Sequence, residues 1–232
     1  MINSLFLQLK APFQAWGLRA HWEQRDTAAE PTKSAVIGLI GCALGLDRRD
    51  DRLRTLSDKL RMGVRVDQQG TRLIDYHTTG GVKLADGLPS GVLNAKGEIK
   101  RETDVSYRHY LVDAAFLVVL QGESELIEEL AWAVQHPIYP IYLGRKACVP
   151  SEPVYAGVGD YPDLITALSD AKHSSWPNHN QPHARCIVEC LPHEGNRQYD
   201  QIWNPKARRF AARTIQTISI ATGVAEINTL EG

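Results

Sequence analysis

Residues 104–120 read DVSYRHYLVDAAFLVVL. Ala114 to Leu120 is an unbroken apolar run, the length and composition of a central strand buried on both faces, and Tyr107 to Tyr110 lead into it. On its C-terminal side, Ser124 to Gln135 opens on a capping serine and places Leu126, Ile127, Leu130, Ala131 and Val134 at helical spacing. On its N-terminal side lies Thr79 to Thr103, with five glycines, one proline and no strong period. A segment of that length without its own core is functional or mobile more often than ordinary connections are, and an arm projecting from the body is expected. Its cations are Lys83, Lys96, Lys100 and Arg101. Before the arm, Met62 to Asp67 alternates as a strand, Gln68-Gln69-Gly70 reads as a turn and Thr71 to Thr78 as the returning strand of a hairpin.

Farther toward the N-terminus, Ser4 to Leu9 sets Leu5, Leu7 and Leu9 against Ser4, Phe6 and Gln8, the period of a strand, which is expected to end at Ala11 and Pro12. Phe13 and Trp16 follow beside Gln14, placed either to stack on a base or to cap the core. Pro31 to Leu46 is the clearest helix, with a small-residue stripe at Ser34, Gly38, Cys42 and Gly45. Lys33 and Ser34 stand at its N-terminal end, where unpaired amides favour an anion such as phosphate. The run is not a P-loop, because Glu30 and Pro31 precede the lysine where glycines should. Asp50 to Leu60 reads as a second helix and Pro153 to Val158 as a strand. The order is strand, helices, two strands, arm, strand, helix, loop, strand. It predicts an α+β domain of the ferredoxin-like or RNA-recognition type with one extra strand, over residues 1–160. Residues 161–232 are expected to add β structure at Ala184 to Leu191 and Arg213 to Ile220.

Tyr139 to Pro150, YPIYLGRKACVP, joins helix to strand. Pro140 and Pro150 bar a helix, and Gly144 admits positive φ beside Arg145 and Lys146, which makes either an anion seat or a solvated surface turn. In the tail, Lys206, Arg208, Arg209 and Arg213 form a cationic run, suited either to phosphates or to guarding a strand edge.

The 26 Lys and Arg nearly balance the 27 Asp and Glu, so any nucleic-acid site must be local. The opening MINSLFLQLK lacks the basic start and apolar core of a signal peptide, and Ala114 to Leu120 is too short to span a bilayer, so a soluble cytoplasmic protein is expected. The four cysteines are too few and scattered for a disulfide framework. His183, Cys186, Cys190 and His193 are ligand types, but on a strand Cys186 and Cys190 stand about 13 Å apart, too far to share one ion, so no metal or cofactor is expected. The remaining chemistry is metal-free RNA cleavage, for which Tyr76, His77, Tyr107, Arg108 and His109 supply a proton acceptor and a cation on either side of the arm.

Five stretches resemble, in order, the Cas-five group of CRISPR-associated RNA-binding proteins, in particular those of the type I-E surveillance complex Cascade. They are LKAPFQAWG at Leu9 to Gly17, PTKSAVIGLIGCALG at Pro31 to Gly45, DYHT at Asp75 to Thr78, RHYLVDAAF at Arg108 to Phe116 and YLGRKACVPSEPVYAG at Tyr142 to Gly157. The resemblance covers the first two thirds of the chain. It implies a modified ferredoxin-like domain whose projecting thumb is the arm at 79–103. It also implies a non-catalytic grip on the 5′ handle of CRISPR RNA, capping that end of the complex in antiviral defence. In that role the Gly144 loop, with Arg145 and Lys146, and the helix start at Lys33 and Ser34 would seat phosphates. Gln14 and Trp16 would approach bases, and Arg108 would contact RNA near the thumb, flanked by His77 and Tyr107. Implied partners are the CasC backbone subunits and the large CasA subunit, with target DNA nearby. Type I-C relatives cut their own precursor RNA, which keeps a metal-independent endoribonuclease as the alternative.

Overall fold

The computed structural model describes residues 1–18, 23–80, 82–83, 89–90, 96–98, 103–170 and 183–221. In chain order the elements are β1 (Ser4–Gln14), β2 (Gln24–Arg25), α1 (Lys33–Ala43), α2 (Arg52–Lys59), β3 (Arg61–Gln68), β4 (Thr71–Thr79), β5 (Val82–Lys83), β6 (Pro89–Ser90), β7 (Asp104–Gln121), α3 (Ser124–Gln135), β8 (Tyr155–Gly159), α4 (Leu164–Ser169), β9 (His183–Glu189), β10 (Asn196–Asn204) and β11 (Arg209–Ala221). The result is a mixed helix and antiparallel-sheet fold. The main sheet runs β10-β11-β9-β3-β7-β1-β8, with β4 and β2 also pairing with β7, and β5 and β6 form a separate two-residue ladder.

β7 is the centre. From Ala114 to Leu120 its residues are all buried. Phe116, Val118 and Leu120 join Leu5, Leu7 and Leu9 in a core shared with α1, α2 and α3. Leu117 and Val119 join Phe6 in a second core on the other face, closed by Leu164, Ala167 and Leu168 of α4. Burial on both faces is why this run is continuously apolar rather than alternating. α2 packs closely on α1 because Gly41 leaves room for Leu53: a Cβ there would stand 2.5 Å from Leu53 Cδ2. Of the small-residue stripe, Gly38 is exposed with nothing within 4 Å of where its Cβ would be, whereas Cys42 and Gly45 admit the close approach of residues 138–140: Tyr139 N donates to Cys42 O, and a Cβ at Gly45 would stand 2.8 Å from Ile138 Cδ1.

Three expectations are corrected. Gln68-Gln69-Gly70 does not reverse the chain. Gln68 pairs with Ala115 and Thr71 with Val112 in the same register, so after an irregularity between Val66 and Gln68 the chain runs straight on from β3 into β4, antiparallel to β7. The hairpin is therefore β3–β4 against β7, closing on the pair Thr79–Asp104, and the extra strand expected from reading β4 as a separate return strand is not needed. β1 also continues past Pro12 to Gln14 with its register on β7 intact. By these registers Pro12, Asp113 and Gly70 stand side by side on three strands. Asp113 (φ 54°) and Gly70 (φ 71°) both have left-handed backbone and Pro12 lacks an amide donor, so the sheet changes course at this row. Finally, the N-cap of α3 is Glu123, with no side-chain cap bond, rather than Ser124.

The C-terminal strands extend the same sheet through the pairing of β9 with β3. A buried ionic cluster ties them to α1. Arg213 Nε and Nη2 donate to Asp200 at 2.6 and 3.0 Å, Arg213 Nη1 to Glu189 at 3.4 Å, and Lys33 Nζ to Glu189 at 3.0 Å. Of the arm, Lys100 and Arg101 lie outside the described residues.

Gly70 tests the bend. A Cβ there would lie 2.6 Å from Val112 O. Gly70→Ala is expected to lower unfolding stability by about 2 kcal/mol through left-handed strain and this backbone clash, read as a lower urea midpoint. An unchanged midpoint would mean that the bend is not built on this glycine.

Candidate nucleic-acid interface

Beyond the bend, the first half of β7 forms a platform with β4 on one side and the short β2 on the other. Successive side chains on a strand point to opposite faces and cross-strand partners share a face, so register sorts the candidate residues. Arg108 stands between Asp75 of β4 and Arg25 of β2, and His77 faces Ser106 on the same side. Arg108 Nε donates to Ser106 Oγ at 3.3 Å, and His77 Nδ1 is 3.6 Å from Asp75 Oδ2. Tyr76 and Tyr107 are direct partners on the opposite face, both exposed and packed edge to face at 5.6 Å, and His109 sits on that face opposite Ile74. The five groups considered for RNA cleavage are thus split between two faces.

The Gly144 loop is built against the end of β1. Ala15 N donates to Leu143 O at 3.1 Å, and Leu143 N to Cys148 O at 2.8 Å. Gly144 has φ 92°, and a Cβ there would meet Ala15 O at 1.7 Å, so only glycine fits. The turn delivers Arg145 onto the platform. Its guanidinium lies 4.6 Å above the Tyr110 ring, and Nη2 donates to Arg25 O and Asp26 O at 2.9 and 3.3 Å. Tyr110 in turn packs edge-on against Phe13. Nη1 of Arg145 is buried and lacks a hydrogen-bond partner among the described residues. Lys146 is exposed beside it. Arg145 is thus stacked on Tyr110, on the strand face that also carries Arg108 and its pairing partner Arg25, with Lys146 next to it in sequence, an arrangement suited to phosphate oxygens and to stacked bases.

Four sequence candidates are placed elsewhere. Gln14 and Trp16 are fully buried, so neither is positioned to approach a base. Gln14 Nε2 donates to Leu9 O and Ala114 O, and Trp16 Nε1 donates to Gln14 Oε1, which satisfies the polar atoms within the core. At the start of α1 the expected anion is the protein's own: Lys33 N donates to Asp200 Oδ2 at 2.7 Å. Burial pushes the Lys33 ammonium below its ordinary pKa, and Glu189 opposes that shift. Lys33 is thus part of the ionic cluster, and Ser34, half-buried, is 3.5 Å from Thr32 Oγ1. Sequence reasoning named Phe13 as a ring that could stack on a base but passed over Arg25 and Tyr110 as members of this site. Tyr110 was legible, two residues from Arg108 on a strand and hence on its face, whereas Asp200 carries no signal that would link it to a residue 167 positions away.

The family model for CRISPR-associated protein Cas5 matches residues 4–218. The chain belongs to the CRISPR-associated Cas5 family. It is 34% identical over 180 residues to the CRISPR system Cascade subunit CasD of Escherichia coli (strain K12), covering 72% of this chain and 76% of that protein. A crystal structure of a Cas protein superposes with a TM-score of 0.69 at 35% identity, covering 94% of this chain and 95% of its own. A chain of a CRISPR RNA-guided surveillance complex does so with a TM-score of 0.76 at 30% identity, covering 94% and 90%. The Cas5 match spans the residues of the bend, the platform and the Gly144 loop.

The loop's fit to β1 has a chemical readout. Cys148 is buried and its thiol is raised in pKa by that burial, and Cys186 is buried and raised to about 12. With Cys42 and Cys190 replaced by serine, the native protein is expected to resist an aromatic disulfide reagent at pH 8, where the thiolate fraction is low. Gly144→Ala is expected to expose Cys148 to the reagent and to cost about 2–3 kcal/mol of stability. Equal reactivity of both forms would show that the close approach to Ala15 does not hold the loop.

Proposed function

We propose that this chain is the CasD-type subunit of a Cascade surveillance complex and that it holds the 5′ handle of CRISPR RNA without cutting it. The observation that carries the reading is the Arg145 guanidinium, fixed on Tyr110 beside Arg108 and Arg25 with Lys146 exposed at the rim. Backbone phosphates would lie along these cations, and unstacked bases would rest on the rings of the platform, the usual mode of single-stranded RNA recognition. Membership of the Cas5 family and the likeness to a chain of an RNA-guided surveillance complex support the same assignment.

The finer architecture follows from this reading. The order β3-β7-β1-β8, each strand antiparallel to its neighbour, is that of a ferredoxin-like domain, with β9 to β11 added at its edge. The long β3–β4/β7 hairpin carries residues 79–103 at its tip as the thumb, with Lys83 and Lys96 on it. CasC and CasA subunits would cover much of the remaining surface, which suits a chain of near-neutral charge, and target DNA would pass nearby. Assembly in the cytoplasm is part of this reading; separately, no helix among the described residues is long and apolar enough to cross a membrane. For the endoribonuclease alternative, His109, Tyr76 and Tyr107 lie on the opposite face from Arg108, which leaves His77 as the one candidate base of the set on the Arg108 face and favours the non-catalytic role.

The test is repeat RNA incubated in excess EDTA with the purified chain and CasC, read on native and denaturing gels. The RNA is expected to shift and remain intact. Arg108→Ala with Lys146→Ala is expected to weaken retention about tenfold or more and to reduce the logarithmic salt slope by roughly 1–2. A specific cut abolished by His109→Ala or His77→Ala would replace the capping role with an enzymatic one.

A further inference from the structure

We infer that the β10–β11 hairpin, on the far edge of the sheet from the handle platform, is a second binding surface for single-stranded nucleic acid. Residues 196–214 hold Arg197, Lys206, Arg208, Arg209 and Arg213 against a single acid, Asp200, in a chain whose formal net charge is −1. The structure sorts these charges. Arg213 and Asp200 neutralise each other in the buried cluster, and Lys206 pairs with Asp51 at 2.6 Å. Arg197, Arg208 and Arg209 are exposed, and their side chains have no ion pair or hydrogen bond among the described residues. Arg208 occupies a left-handed backbone conformation (φ 51°) at the hairpin turn, a position where glycine or asparagine would fold more easily.

Three large rings are exposed on the same hairpin: Tyr199, Trp203 and Phe210. By register and alternation Arg197, Tyr199 and Phe210 share one face, since Tyr199 pairs with Ala212 two residues from Phe210, whereas Trp203, next to the Phe210 partner Ile202, and Arg209, next to Phe210, are on the other. Residues 197–204 extend about 23 Å at the usual rise per residue, so each face of the hairpin offers at least one ring and one guanidinium group along that length. Aromatic faces with unpaired arginines and no free carboxylate fit a strand whose bases are unstacked, the bases lying on the rings and the phosphates on the arginines. A duplex would offer the arginines phosphates but leave the rings unused. A protein partner would leave three arginines needing carboxylates of its own. This inference stands apart from the handle reading, because it shares no residue with the platform.

The test uses the full chain and fluorescein-labelled 20-nucleotide oligothymidylate DNA and oligouridylate RNA, neither carrying a handle sequence, with anisotropy read across a salt series. Arg197→Ala/Arg208→Ala/Arg209→Ala is expected to lose tenfold or more in affinity with a shallower salt slope, and the corresponding lysine triple to recover most of it. Trp203→Ala is expected to lose about fivefold or more with the slope unchanged, since stacking is uncharged. In the Arg108→Ala/Lys146→Ala background, which removes phosphate contacts of the handle platform, the same hairpin arginine triple is expected to lose tenfold or more again, which separates this surface from the handle site. Preference for one oligonucleotide would identify the strand as DNA or RNA. Photocrosslinks from iodouridine-substituted strands should map to Tyr199, Trp203 or Phe210. Binding within twofold of wild type in both hairpin variants, or crosslinks confined to other elements, would overturn the inference, and capture of a protein by the hairpin without oligonucleotide binding would overturn it as well.

Discussion

Everything in this molecule depends on the two-sided backbone pairing of β7. One strand of 18 residues hydrogen-bonds to β1 and β3 along its second half and to β4 and β2 along its first. Its second half lies in the core, where unpaired backbone groups would be costly, so its neighbours are held in register as well. The same strand then leaves the core and carries aromatic and cationic side chains into solvent. A rigid interior and a displayed platform are thus two halves of one element, and a side chain on the platform is positioned by pairing that begins within the core.

The change from one half to the other is made by backbone chemistry. Pro12, Asp113 and Gly70 align across three strands, and left-handed backbone at two of them lets the sheet alter course without ending. A second close approach, Gly144 against Ala15 O, brings a distant loop onto the platform and lays Arg145 over Tyr110. Stacking and two carbonyl acceptors restrain the guanidinium before any ligand arrives, which reduces the ordering cost of binding. Arg145 therefore has a structural duty toward Arg25 and Asp26 as well as a charge to present.

Electrostatics divides the cations into two populations. Lys33 and Arg213 are buried with Glu189 and Asp200, and they join α1 to the C-terminal strands. Such a cluster fixes geometry more surely than it adds stability, because desolvation offsets much of the attraction. Lys146, Arg197, Arg208 and Arg209 remain at the surface. A chain with almost no net charge can in this way present two separate basic surfaces on opposite parts of one sheet.

Local pattern alone determined the buried strand at 114–120 and the helices read at 31–46 and 124–135, because burial on both faces and helical periodicity each leave a mark in neighbouring residues, whereas the need for glycine at 144 comes from the distant Ala15 carbonyl. The family was legible as well, in five short stretches in order. Gln68-Gln69-Gly70 was misread because a glycine with positive φ serves a turn and a bend equally well, and only pairing with β7 distinguishes them. Trp16, Gln14 and Lys33 looked like ligands for RNA because exposed and buried polar residues are spelled alike. Their partners, Ala114 O for Gln14 and Glu189 and Asp200 for Lys33 and its amide, lie 100 or more positions away. Which charges are neutralised inside and which face a ligand is decided by contacts distant in sequence, so it was settled only when the strands met.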